Sequence, residues 1–156
     1  MTDRCHVSCY MIKLKELVPV ISTERIEQIM SSGSTVYIAV LDEAGSPTVS
    51  AISSLRHAGV HTAWFATGLR STKVQRLRRD NRASLCYCDG KNNITLVGTV
   101  QVLTDQASKD DLWLDWFIAH FPGGKTDPDY CILQFTAERV SAWVDSNTLL
   151  LNLAEV

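Results

Sequence analysis

The sequence predicts a mainly β fold, an antiparallel barrel of six or seven strands with a few short helices. Three observations lead there. Six or seven segments rich in β-branched and aromatic residues succeed one another, separated by turn-forming residues. Only three short stretches carry a helical period, and strand and helix never alternate regularly as a doubly wound sheet requires. No linker, internal repeat or low-complexity tract divides the 156 residues, so a single domain over 22–156 is expected, preceded by an N-terminal extension over 1–21.

The first element along the chain is a helix capped by Ser22 or Thr23, whose Ile26, Ile29 and Met30 recur on one face, with Gly33 placed to end it. Thr35–Leu41 is the first strand, and Asp42–Pro47 supplies turn chemistry before a second strand at Thr48–Leu55. A loop over Arg56–Val60 leads to a third strand at His61–Thr67. A second helix is expected around Ser71–Leu77, where Thr72 and Gln75 fit a capping box and Val74 and Leu77 form an apolar stripe. Strands at Arg82–Cys88 and Ile94–Leu103 flank a polar turn. Asp105 or Ser108 opens a helix carrying Leu112, Trp113, Trp116, Phe117 and Phe121, stopped by Pro122-Gly123-Gly124. Tyr130–Phe135 and Arg139–Val144 form one long strand or a bent pair.

Composition narrows the function. With 46% hydrophobic and 21% charged residues the chain is ordinary globular material. It has no run of about 20 apolar residues to span a membrane and no signal-peptide pattern, so a cytoplasmic protein without membrane attachment is expected. A net charge of −2 argues against a nucleic-acid partner, since such affinity comes from many cationic contacts to phosphate. Five cysteines, an odd number in a chain too large to need staples, point to reduced thiols. Cys86 and Cys88 share one strand face as small hydrophobes. Cys5, His6 and Cys9 lack a second ligand pair, so no metal site is expected. His57, His61 and His120 read as solvated or hydrogen-bonded histidines and not as catalytic ones. Asp110, Asp111 and Asp115 read as a solvated helix face, and the Trp113, Trp116 and Phe117 cluster, which could cap a flavin or an aromatic substrate, reads at helical spacing as core.

The chemistry concentrates in Trp64-Phe65-Ala66-Thr67-Gly68-Leu69-Arg70-Ser71-Thr72-Lys73, a strand that passes through a turn into a helix. A helix start presents unpaired amides and the positive end of its dipole, an arrangement suited to an anion. Ser71 and Thr72 add hydroxyl donors. Lys73 is a cation where the dipole disfavours one by roughly 0.3–1 kcal/mol, a cost that a bound phosphate would offset. The alternative is that Arg70, Lys73, Arg76, Arg78, Arg79 and Arg82 are merely a solvated basic face.

Residues 64–73 resemble the flavin-phosphate segment of the pyridoxamine 5′-phosphate oxidase-like superfamily, with Phe65, Thr67, Ser71 and Lys73 in register, and Asn81–Leu85 is similar to the family's sequence after the helix. Phe121–Asp129 and Trp143-Val144-Asp145 are similar to its bacterial general stress protein branch. The resemblance covers about residues 22–145. It implies a split β-barrel, a homodimer and FMN bound between subunits. It places Ser50, Ala51, Ile52 and Ser53 beside the flavin ring, Ala66 and Thr67 beside the ring or ribityl chain, and Ser71, Thr72 and Lys73 at the phosphate. Asn93 falls where the oxidases contribute a polar side chain from the second subunit, and Trp143 is a further cofactor contact or an interface residue.

Two arginines of the true oxidases are absent, one near Ser50 or Ala51 and one where Thr72 stands. The tail from Leu149 to Val156 also lacks their Arg-containing substrate segment. Oxidation of pyridoxamine phosphate is therefore not expected. The expected function is that of an FMN-dependent oxidoreductase, with NADH or NADPH as a candidate donor, since the cofactor carries the electron chemistry and no conventional acid, base or nucleophile stands out. The alternatives are a noncatalytic FMN-binding or storage protein, or a barrel that uses deazaflavin or heme.

Overall fold

The computed structural model describes residues 21–33 and 35–153. Most of the extension read over 1–21, with Cys5, His6 and Cys9, lies outside the described residues. Helix α1 (Thr23–Ser31) is capped by Ser22, whose side chain accepts from the Arg25 amide, and it buries Ile26, Ile29 and Met30 as its period requires. Gly33 lies just past Ser32, the C-cap. Among the described residues no helix is long and apolar enough to cross a membrane.

The strands are β1 (Thr35–Leu41), β2 (Pro47–Ala58), β3 (Thr62–Gly68), β4 (Arg82–Cys88), β5 (Asn93–Leu103), β6 (Tyr130–Val144) and β7 (Asn147–Asn152). Helix α2 (Thr72–Arg79) joins β3 to β4, and α3 (Gln106–Asp111) comes after β5. All strand pairs are antiparallel, in the order β3-β2-β1-β4-β5-β6-β7. The added pairing of β3 with β6, from Thr62↔Thr136 to Gly68↔Tyr130, closes six strands into a barrel and leaves β7 as an extra strand on β6.

Alternation drives closure. Val36, Ile38 and Val40 of β1 point inward, and Phe65, Leu85, Leu96, Leu133 and Phe135 complete an apolar interior, all of them buried. Each such side chain contributes on the order of 1.5–3 kcal/mol. The longest strand, β6, bends at a bulge: Val97 faces Arg139 but Gly98 faces Ala137, so Glu138 is the additional residue. Gly98 is required there, because a Cβ would sit 1.9 Å from the Thr136 carbonyl oxygen. Asp145 and Ser146, at φ 49° and 66°, form the two-residue turn between β6 and β7, the left-handed pair that tight hairpins use. Arg25 grips Asp145 through two hydrogen bonds of 2.9 and 3.1 Å and ties α1 to that turn.

Several expectations need correction. Strand β2 runs on to Ala58 through the segment read as a loop, because Arg56, His57 and Ala58 pair with Trp64, Ala63 and Thr62 of β3. The tail contains β7, which had no clean alternation to mark it. Cys86 is half-buried and Cys88 exposed, so neither serves as a core hydrophobe, although they share a face.

The helix expected from Asp105 or Ser108 through Phe121 is broken. Asp105 caps α3, which ends at Asp111, and Leu114 is extended before a 3-10 turn over Asp115–Ala119. Two carboxylates, Asp110 and Asp111, sit at the negative end of α3, where the dipole opposes continuation. Packing completes the break. Leu112, Phe117 and Phe121 gather on Tyr130 and Ile132 outside the barrel, with Leu55, Trp64, Ala66 and Trp113 around them. Buried Lys109 donates to the Asp127 carbonyl at 2.8 Å and lies over the Tyr130 ring, fixing the loop before β6.

Candidate functional site

Strand β3 ends at Gly68 and α2 starts at Thr72, so the chain reverses within Leu69, Arg70 and Ser71. Asp129, just before β6, organises the turn. Its carboxylate accepts from the Arg70 amide at 2.9 Å and from Arg70 Nε at 3.1 Å, and its carbonyl accepts from the Leu69 amide at 2.6 Å. The Arg70 amide, and then its guanidinium, hold the Asp129 carboxyl below the usual aspartate value. Gly68 presses close, since a Cβ there would lie 3.0 Å from the same carboxylate.

The N-cap of α2 is Ser71, not Thr72. Ser71 Oγ accepts from the Val74 amide at 3.3 Å, while the Gln75 side chain donates to the Arg70 carbonyl instead of closing a box with Thr72. As acceptor, Ser71 keeps its own hydroxyl proton free to donate. The helix has no acidic residue in its first turn.

The basic run is largely neutralised in place. Arg70 pairs with Asp129, Arg76 and Arg79 with Glu43, and Arg82 with Asp80, while Arg76 also donates to Thr48 Oγ1 at 2.8 Å. Arg76, Arg78 and Arg79 occupy the last turn, where the dipole favours them. Lys73 differs. It is partly buried at the wrong end of the dipole, has no ion pair or hydrogen bond among the described residues, and burial lowers its pKa from the ordinary 10.5.

Lys73 borders a pocket of about 400 Å³. One wall is β2, through Ala51, Ile52, Ser53 and Leu55. The end of β3 contributes Ala66, Thr67 and Gly68. The 3-10 segment and its exit contribute Trp116, Phe117, His120 and Phe121. Among the described residues no carboxylate lines it, so its fixed charge is the positive one of Lys73.

Six of the residues singled out from sequence therefore meet in one cavity: Ala51, Ile52, Ser53, Ala66, Thr67 and Lys73. Ser71 and Thr72 flank Lys73 at the helix start without lining it. Ser50 lies one step further along β2, exposed and opposite Ile38. Asn93 and Trp143 lie outside the lining as directly opposed neighbours on β5 and β6, with Cys88 facing Asn93 from β4.

Those two belong to the outer face of the sheet, where one cross-strand row runs Ala51, Tyr37, Cys86, Thr95, Ser141, Leu150. Tyr37 is 49% exposed, Val49 68%, Trp143 45% and Leu150 73%, which leaves an apolar band in solvent. Ala51 belongs both to this band and to the pocket wall, so the two features are continuous.

The sequence reading offered Trp116 as a flavin cap but favoured core for it, and it read His120 as a solvated or hydrogen-bonded histidine. Trp116 is 52% exposed beside Phe117 at 2% and Phe121 at 8%, and both Trp116 and His120 face the pocket. The aromatic density ahead of Pro122-Gly123-Gly124 was the available signal, but only the fold places it against β2 and β3.

The sequence pattern of a family described as pyridoxamine 5′-phosphate oxidase like matches residues 23–155. No curated protein matches. Among solved structures, the chain is 32% identical to a Clostridium acetobutylicum protein related to general stress protein 26 of B. subtilis, of the pyridoxinephosphate oxidase family; the match covers 85% of this chain and 95% of that one at a TM-score of 0.76. General stress protein 26 from Bacillus anthracis is similar at 16% identity, 85% and 100% coverage and a TM-score of 0.70. A heme binding protein from Mycobacterium smegmatis shares the fold at 18% identity, 87% and 60% coverage and a TM-score of 0.67.

Proposed function

The chain belongs to the pyridoxamine 5′-phosphate oxidase-like family, and from that premise we propose that it is an FMN-binding flavoprotein that acts as an oxidoreductase, as a homodimer with the cofactor at the subunit interface. The observation that carries this reading is Lys73, a desolvated cation without a partner among the described residues, at a helix start beside a pocket lacking carboxylates. A phosphate there would meet the Lys73 ammonium, the first amides of α2 and the Ser71 and Thr72 hydroxyls. Ala51, Ile52 and Ser53 would border the ring, and Ala66 and Thr67 the ring or ribityl chain. Bound FMN supplies electron transfer, with NADH or NADPH as the proposed donor, and the protein supplies binding and a shielded site.

The exposed band through Tyr37, Val49 and Leu150 supports the dimer, since it reaches the pocket at Ala51. Asn93 and Trp143 of the partner subunit would then complete a site that one chain leaves open. A second reading has one observation behind it: among the described residues His120 is the only imidazole lining the pocket, so heme would find an iron ligand there.

Titration of the purified protein with FMN, followed by flavin fluorescence and absorption, and with hemin, followed by its Soret band, separates these readings. Tight FMN binding by a sedimenting dimer, with reduction by a nicotinamide donor, is the expected result. Binding without reduction leaves the storage reading, and preference for hemin overturns FMN.

A further inference from the structure

We propose that Trp116 and His120 form an aromatic wall of the flavin site, binding the ring system and not the phosphate. The inference rests on the FMN reading above; it assigns to the ring Trp116, for which the sequence favoured core over a flavin cap, and His120, which the sequence left without a role. The lining joins two chemistries: Lys73, which follows the helix start and suits an anion, and Trp116, Phe117, His120 and Phe121, which carry no fixed negative charge and present rings.

Phe117 and Phe121 are anchored in the cluster around Tyr130, at 5.9 and 5.1 Å between ring centroids, while Trp116 keeps half its surface open. An exposed Trp in a segment this densely packed is held out by its neighbours. Its ring meets Phe117 edge-on at 4.5 Å and His120 edge-on at 5.8 Å, and the His120 and Phe121 amides both donate to the Phe117 carbonyl at 2.8 Å. The next turn is fixed too, since the Gly123 amide donates to the Asp127 carboxylate and Lys109 grips the Asp127 carbonyl. The wall is thus built before any ligand arrives, so a flat ring would gain contact with little ordering cost.

The test compares FMN and riboflavin, which share a ring and differ in the phosphate, on wild type, Trp116→Leu, Trp116→Phe, His120→Ala and His120→Phe. Trp116→Leu and His120→Ala should each weaken both flavins by the same factor, about 3- to 10-fold, from the aromatic pairing energy and about 1.4 kcal/mol per decade. The phenylalanine variants should recover most of that loss. The visible circular dichroism of bound flavin should change in Trp116→Leu. A loss confined to FMN would move Trp116 to the phosphate and overturn the inference, as would unchanged affinity for both flavins in Trp116→Leu. A wild-type protein that binds neither flavin refutes the cofactor reading itself, a separate outcome. Trp116 is half-exposed, so Trp116→Leu should lower the thermal midpoint of the apoprotein only slightly, and a thermal scan of each variant keeps the comparison between folded proteins.

Discussion

Replacing Lys73 by alanine isolates the phosphate contact. The side chain is partly buried, its charge is uncompensated among the described residues, and Ser71 already uses its oxygen as the helix cap. A phosphate arriving there gains a charge-assisted hydrogen bond that contributes on the order of 1.5–3 kcal/mol. At about 1.4 kcal/mol per decade, Lys73→Ala should weaken FMN by roughly 10- to 150-fold, while riboflavin affinity should hardly change. Without ligand the variant should be as stable as wild type or slightly more so, because a desolvated cation has been removed from the positive end of a dipole.

The pH dependence has a definite sign. Burial holds the native Lys73 value below the ordinary 10.5, so between the two values the unfolded chain binds more protons than the folded one. Ligand-free stability therefore rises with pH across that interval. FMN requires the protonated form, so its affinity should fall as pH climbs through the native value, and riboflavin affinity should show no such step. Fluorescence titrations with both flavins at neutral and alkaline pH measure this. Equal FMN affinity for wild type and Lys73→Ala would refute the phosphate assignment.

Three further perturbations test the frame around the site. Gly98→Ala places a Cβ against the Thr136 carbonyl oxygen, so urea unfolding should show a loss on the order of 3 kcal/mol or more, or no folded protein. Ser146→Gly removes a left-handed, non-glycine residue from the β6–β7 turn and should add roughly 0.5 kcal/mol, read as a raised thermal midpoint. Tyr37→Asp puts a charge in the exposed apolar band, so sedimentation should detect monomer and FMN affinity should drop with it. A Tyr37→Asp dimer with unchanged affinity would remove that face from the interface.

Legibility depended on the strength of local pattern. Strands β1 and β4 were readable to the residue because inward Val36, Ile38 and Val40, and Ala83, Leu85 and Tyr87, alternate without interruption. The end of β2 was not, since Arg56 and His57 look like loop residues until Asp111 and Ser31 receive them. Strand β7 hides because Leu149, Leu150 and Leu151 form a run without alternation, made a strand only by the register of β6. The short α3 and the 3-10 turn look like one helix because their aromatic spacing suits either, and contact with Tyr130 decides. Lys73 stood out in sequence because a cation opposed a dipole within three residues of its cap. Trp116 and His120 carry no such local conflict, so their place in the pocket depends on a segment folding back across the barrel.

The seam between β3 and β6 joins residues far apart in the chain, Thr62 to Thr136 and Gly68 to Tyr130, whereas the β1–β2, β4–β5 and β6–β7 pairs are hairpins. Hairpins close in microseconds at small entropic cost, while a long-range pairing must first bring its ends together. Closure of this seam is therefore expected late in folding. Asp129 and the turn it organises sit at the end of that seam, so the pocket beside Lys73 takes shape only as the barrel shuts. A ligand that needs this turn finds no binding partner in the earlier, open states, and it should slow unfolding while leaving the rate of folding unchanged.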